Sequence, residues 1–332
     1  MNQLLLSYPW LQPYWSQLAL AIKQHRIPQA LLITGNKGMG KQVLARHFAQ
    51  SLLCFSRDSE GNFCGQCKSC TLFLAETHPD CSLIEPEEKG KSIPIAAIRQ
   101  LTTKLSLKPQ FDSQRVVIIN PAENMNNAAA NAFLKYLEEP TERTTLILIT
   151  ENSSKILATI SSRCQKMFIA RPKPNEIKNW LKQQNLLENS DIVLNLAKGS
   201  PLLAKQISEH SILDLRAQCF DSWTKIHHAK ISFNEVAEKW YKLEKSEMEF
   251  LLFWLTSWVM DMIKLAYHDQ AVKLYNTDLK TDLQELMQKL DLRHLYQYYD
   301  FLLLCQKRLD TQLNKQLMFE EILLKWFTLK KN

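Results

Sequence analysis

Beyond Pro201 the sequence has neither glycine nor proline: all seven glycines and all twelve prolines fall in its first 201 residues. That excludes a turn-rich β architecture for the remaining 131 residues, and an almost wholly helical C-terminal part is expected. Long apolar runs are also missing. The longest, residues 250–260, is closed by Glu249 and Asp261 and falls far short of the roughly 20 residues of a membrane helix. The N-terminal MNQLLLSYPW has no basic region before its apolar residues and no small-residue cleavage site, so a cytoplasmic protein is expected. Excess charge is absent from the second part: residues 202–332 carry 18 Lys+Arg and 18 Asp+Glu. The formal net charge of +7 therefore belongs to residues 1–201. Affinity for a polyanion is expected there, with a merely solvated basic surface as the alternative.

Within the first 170 residues, short β-branched apolar runs alternate with helical patterns. Residues 30–34 (ALLIT), 82–85 (SLIE), 116–119 (VVII), 145–149 (TLILI) and 166–170 (KMFIA) read as buried strands. Helix-like stretches at 42–53, 95–105 and 126–137 lie between them, the alternation of a parallel α/β sheet. A linker, Arg171-Pro172-Lys173-Pro174, precedes two or three short helices over 175–206 that are too small for a core of their own. Further on, Leu251, Trp254, Leu255, Trp258 and Val259 share a stripe at helical spacing, the pattern of core packing.

Three glycines crowd into Gly35-Asn36-Lys37-Gly38-Met39-Gly40-Lys41, after the ALLIT strand and before an apolar-periodic helix. In that context G-x-x-x-x-G-K is a phosphate loop, with inward backbone N–H groups at a helix N-terminus, and Gly35, Gly38, Gly40 and Lys41 are the candidate ligands. The next position is Gln42, where Ser or Thr would hold Mg²⁺. The VVII strand, which in an ATPase ends on Asp-Glu, runs instead into Asn120-Pro121, and Glu123 is displaced beyond the proline. With these positions changed, ATP hydrolysis is not expected. A scaffold without ligand and residual phosphate binding through Lys41 both remain open, as does Glu123 as a substitute base.

Four of the eight cysteines cluster as Cys54-x9-Cys64-x2-Cys67-x2-Cys70. In a cytosolic protein this is no disulfide framework, and four thiolates at such spacing suit a closed, structural Zn²⁺ site. An iron–sulfur cluster and unmetallated cysteines are the competing readings. The scattered Cys219 and Cys305 read as core residues. After the fourth strand, Ser162-Arg163-Cys164 precedes the fifth. An Arg there is either a surface salt-bridge partner or an arginine finger for a phosphate held by a neighbouring subunit.

GNKGMGK, the cysteine cluster, the segment NAFLKYLEEP at 131–140 and Ser162-Arg163-Cys164, in this order and spacing, resemble the bacterial clamp-loader AAA+ subunits of DNA polymerase III. The resemblance is specific over about residues 28–206. It implies three domains: a RecA-like parallel-sheet domain at 1–170 with a zinc module at 54–70, a small helical lid at 171–207, and a helical collar at 208–332 that assembles a hetero-oligomer with gamma/tau and delta subunits. It further implies, for a subunit with a degenerate loop, a non-hydrolysing stator of the polymerase holoenzyme that supports loading of the sliding clamp onto primed DNA. Such a stator offers the arginine of its Ser-Arg-Cys motif, here Arg163, in trans to a neighbour's ATP. Working ATPase subunits place an arginine in the lid shortly after a glycine, whereas Gly199-Ser200-Pro201-Leu202-Leu203-Ala204 has none. The alternative is an active gamma/tau-type ATPase, and outside the class a zinc-dependent nucleic-acid binder. Arg99 and Lys104, read as lying near the start of a helix, are candidates for approaching the DNA backbone within the complex.

Overall fold

The computed structural model describes residues 7–88, 91–106, 108–111, 114–139, 143–186, 190–209, 212–267, 274–309 and 314–329. It divides into two compact units, Met1–Glu176 with Ser200–Leu202, and Ile177–Gly199 with Leu203–Asn332. In the first, the apolar runs form a five-stranded sheet of β1 (Ala30–Thr34), β2 (Cys81–Ile84), β3 (Arg115–Ile119), β4 (Thr144–Thr150) and β5 (Gln165–Phe168), in the order β2-β3-β4-β1-β5. Every pairing is parallel. The expected strands are all present, with ends displaced by no more than two residues.

Side chains alternate through this sheet. Leu31, Ile33, Val116, Ile118, Ile147 and Ile149 face one layer, formed by α1 (Gln12–Lys23) and α2 (Lys41–Leu53), with Phe73 of the short α3 (Lys68–Leu74) at its margin. Leu32, Val117, Ile119, Leu146 and Leu148 face the other, formed by α4 (Ile95–Ser106) and α5 (Asn127–Glu138). Burial on both faces is why these strands read as unbroken apolar runs rather than as alternating patterns. Asn126 caps α5 by accepting the Ala129 N–H at 2.8 Å, which fixes where that helix begins. A single turn, α6 (Ala158–Ser161), leads into β5.

Between 174 and 209 lie three short helices, α7 (Pro174–Gln183), α8 (Ser190–Leu196) and α9 (Pro201–Glu209). The described residues of the rest of the second unit are mostly helical, in keeping with the missing glycines and prolines: α10 (Ile212–His227), α11 (Phe233–Trp240), α12 (Lys245–Ala266), α13 (Lys280–Gln288), α14 (Leu292–Arg308) and α15 (Lys315–Thr328). A reciprocal capping box of Glu244 and Glu247 starts α12. Its stripe Leu251, Trp254, Leu255, Trp258 and Val259 is fully buried. Trp223 of α10 stacks on Trp326 of α15 at 3.7 Å between ring centroids, and the Trp326 indole donates to the Trp223 carbonyl at 2.8 Å. Asp261, wholly buried, is satisfied by the N–H groups of Tyr275 and Asn276 and by the Asn276 amide. Among the described residues no helix is long and apolar enough to cross a membrane.

Candidate nucleotide loop, cysteine centre and rim arginine

The glycine-rich loop leaves the end of β1 and enters α2 directly. Gly38 and Gly40 adopt φ of 74° and 83°, backbone that a side chain would strain. At Gly35 the constraint is space, since a Cβ would stand 2.8 Å from the carbonyl oxygen of Ile169. The loop is held from outside as well. The Trp10 indole donates to the Met39 carbonyl at 2.9 Å, the Ser200 hydroxyl to the Lys37 carbonyl at 2.6 Å, and the Leu202 N–H to the Gly38 carbonyl at 3.1 Å. Thus the segment that lacks a lid arginine bonds to the loop by its own backbone and hydroxyl. Lys41 is buried and turns its ammonium back onto the carbonyls of Gly35 and Asn36, at 2.6 and 2.7 Å. Burial lowers its pKa, opposed by the carboxylates of Glu151 and Glu123.

At the positions that would serve a metal ion, two neutral amides meet one carboxylate. Gln42 Nε2 and Asn120 Nδ2 both donate to Glu85 Oε1, at 3.4 and 3.2 Å. Glu85 follows β2, Gln42 lies in the first turn of α2 and Asn120 follows β3, so the contact ties three elements together at one end of the sheet. Glu123 Oε1 accepts the N–H groups of Glu151 and Asn152 at 2.8 and 3.2 Å, which commits half of that carboxylate to holding the turn after β4. Its other oxygen is buried without a hydrogen-bond partner among the described residues.

The four clustered cysteines converge. Their sulfurs all lie within 4.8 Å of one another, with Cys54 and Cys67 at 3.9 Å. Tetrahedral Zn–S bonds of about 2.3 Å require sulfur separations of about 3.8 Å, so this donor set fits a four-thiolate metal ion. Backbone N–H groups aim at the sulfurs: Cys64 at Cys54 Sγ (3.2 Å), and Gln66 and Cys67 at Cys64 Sγ (3.5 and 3.3 Å). The N–H groups of Gln66 and Cys67 lower the Cys64 pKa. For Cys67 burial pushes upward, but the N–H groups of Cys70 and Phe55 together with hydrogen bonds to the Cys70 and Cys64 side chains outweigh it and bring the thiol to about 6. Burial raises Cys54 and Cys70. Behind the cluster, the Asp80 N–H donates to His78 Nδ1 at 3.1 Å, which leaves the proton on Nε2, 2.9 Å from Ser69 Oγ. The Ser69 hydroxyl donates in turn to the Leu53 carbonyl at 2.7 Å, so these bonds tie together the residues immediately before Cys54 and Cys70.

Arg163 lies on the rim of the sheet. Its Nη1 donates to the Thr159 carbonyl at 3.0 Å and its Nη2 pairs with Glu138 Oε1 at 2.8 Å. Both side chains are open to solvent, 38% and 51% exposed. Ser162 Oγ also bonds to the Thr159 carbonyl, at 3.1 Å, while Cys164 is buried beneath with its pKa raised by burial to about 11. The structure corrects the joint placement of Arg99 and Lys104. Five residues apart on α4 they point about 140° from each other, and Lys104 sits in the last turn rather than the first.

The DNA polymerase III subunit delta-prime of Pseudomonas aeruginosa is 33% identical to this chain over 327 residues, covering 97% of the chain and 98% of that protein. The chain belongs to the DNA polymerase III delta-prime subunit family. The Escherichia coli K12 delta-prime subunit is 28% identical over 326 residues, or 96% of the chain and 94% of that protein. Profiles described as "DNA polymerase III, delta subunit" and "DNA polymerase III, delta subunit, C terminal" match residues 11–173 and 211–328. A gamma subunit-related protein from Thermotoga maritima overlays with a TM-score of 0.48 at 19% identity, covering 96% of this chain and 99% of that one.

For this delta-prime family member, the sequence missed Glu85, Trp10 and the Ser69–His78 pair. Glu85 lies 43 residues from Gln42 and 35 from Asn120. Nothing local marks it apart from its position at the end of an apolar run.

Proposed function

We propose that the chain is a non-hydrolysing subunit of the DNA polymerase III clamp loader, assembling with gamma/tau and delta subunits and supporting placement of the sliding clamp on primed DNA. The observation that carries the reading is the pair of amides on Glu85. Where Mg²⁺ and an attacking water would be organised, Gln42 and Asn120 spend their donors on a carboxylate, and neither supplies the hydroxyl or charged oxygen the metal needs. Residues 1–170, 171–207 and 208–332 serve in this reading as the AAA+ domain, lid and collar. Cys54, Cys64, Cys67 and Cys70 hold a structural Zn²⁺, which closes the module and supplies folding free energy. Gly35, Gly38, Gly40 and Lys41 keep the shape of a phosphate loop. Arg163 acts in trans, exchanging Glu138 for the γ-phosphate of a neighbour's ATP.

Purification of the chain with gamma/tau and delta, followed by phosphate-release assays, tests this. The chain alone is expected to give no ATP turnover, while its addition raises the clamp- and DNA-stimulated rate of the other subunits. Turnover by the chain alone that disappears on Lys41→Ala would establish the gamma/tau-type alternative instead.

A further inference from the structure

Among the described strands β2 is an open edge, with β3 its single neighbour. The Val116 N–H donates to the Asp80 carbonyl at 2.9 Å and the Asn120 N–H to the Ile84 carbonyl at 3.0 Å. Peptide groups alternate sides along a strand, so residues 80, 82 and 84 turn toward β3, and Leu83 turns its N–H and C=O outward. That edge is the floor of a groove of about 410 Å³. Arg46 of α2 and Phe73 of α3 stand on one side of the strand; Ala97, Leu101 and Lys104 of α4 stand on the other. A helix overhanging each face of an unpaired strand leaves an open slot along its outer side, the arrangement in which extended peptides add to a sheet. β2 is short, which limits pairing at an edge, but Cys81-Ser82-Leu83-Ile84 carries no proline or lysine, and Leu83 is 39% exposed.

Charge narrows the occupant. Arg46 and Lys104 approach Cys81 from the two walls closely enough to pull its thiol down, against the burial that pushes it up to about 11. Arg46 also pairs with the exposed Glu76 at 2.8 Å, while His78, held neutral by its tautomer, adds no charge. The groove floor is therefore largely the β2 backbone with Leu83 and Ile84, and at the Cys81 end Arg46 and Lys104 face it with Glu76 as the one counter-charge, leaving one positive charge in excess.

We propose that this groove binds an extended segment of a partner protein, which adds as a sixth strand on Leu83 and seats an acidic side chain between Arg46 and Lys104. The proposal is independent of ATP chemistry, because the groove lies on the outer edge of β2 and uses none of the loop residues.

Selection of random short peptides displayed on phage against the full-length chain tests it. Enriched sequences are expected to alternate apolar β-formers with polar residues and to carry Asp or Glu. A synthetic copy should slow hydrogen exchange at the Leu83 amide. Leu83→Pro removes an outward donor without touching the ladder to β3, and it should weaken the peptide about tenfold, the scale of one backbone hydrogen bond. Lys104→Glu should weaken acidic peptides and favour basic ones, and Ala97→Trp, which fills the slot from α4 without altering the strand, should abolish binding. The proposal is overturned if no sequence is enriched, or if the enriched peptide binds Leu83→Pro and Ala97→Trp as it binds the wild type. Self-association of the chain that both variants abolish would assign the edge to a second copy and overturn it equally.

Discussion

Asn120 Nδ2 stands 3.2 Å from Glu85 Oε1, so the end of β3 is joined to the end of β2 by a neutral donor on an ionised acceptor. Replacing that donor by an acceptor reverses the interaction. Asn120→Asp is expected to lower stability at pH 7 by about 1 kcal/mol, the scale of a partly exposed charge pair. Mg²⁺ should recover it, since two carboxylates then share a site that suits a hard cation. Thermal unfolding with and without Mg²⁺ checks this. Equal stabilisation of the wild type by Mg²⁺ would contradict the reading of the amide pair.

Legibility in the sequence followed the range of the interactions. The strands, loop and cysteine cluster were readable because each is written locally: burial on both faces makes continuous apolar runs, positive φ selects Gly38 and Gly40, and metal ligands recur at short spacing. The helices α1 and α3 were not read. The first follows a turn that opens at Pro9 and carries Pro13 in its own first turn, and the second begins inside the cysteine cluster at Lys68. The partners of the site residues were invisible for another reason. Glu85 for Asn120, Glu138 for Arg163 and Ser200 for Lys37 are chosen by the sheet order and by chain return, which no local pattern encodes.

The cysteine centre is expected to carry one zinc per chain. Cys67→Ala should lower the zinc content and cost about 3 kcal/mol or more. That is less than the ~10–16 kcal/mol of isolated zinc peptides, because the sheet has apolar cores on both faces that do not depend on the metal alone. Because the metal competes with protons for the thiolates, zinc should also leave on acidification. Elemental analysis and thermal unfolding of the two proteins decide; iron with sulfide, or no metal in natively purified protein, would remove the assignment.

His47 is buried between Trp15 and Phe63, at 4.2 and 4.9 Å between ring centroids. Burial lowers its pKa from 6.5 to about 4, against the opposing pull of Asn62 and Asp58. Since the folded pKa lies below the unfolded one, the unfolded chain binds the extra proton. Stability from the neutral ring is full above about 6.5 and is lost as pH falls toward 4, by about 3 kcal/mol over the window. His47→Leu should remove that dependence. Urea unfolding of both proteins at pH 7 and near pH 4.5 isolates the effect, as the loss of zinc on acidification is common to the two.

Arg163 is held by an ion pair that solvent reaches from both sides, so its release costs at most about 1 kcal/mol. That is small beside the binding free energy of an assembled interface, and it leaves the guanidinium available to a neighbour's phosphate. Arg163→Ala is therefore expected to leave folding and complex assembly intact while lowering the clamp- and DNA-stimulated ATPase of the whole loader. The loss should be partial, because one finger serves one site: that site falls by up to ~10³-fold or more while the others continue. Arg163→Lys should not restore the rate, since an ammonium lacks the planar fork. Glu138→Gln supplies the converse, freeing the guanidinium from its intramolecular partner without removing it, and should leave the rate unchanged or raise it. Steady-state rates of complexes reconstituted with each variant test the assignment. Equal rates for wild type and Arg163→Ala would reduce Arg163 to the rim salt bridge with Glu138.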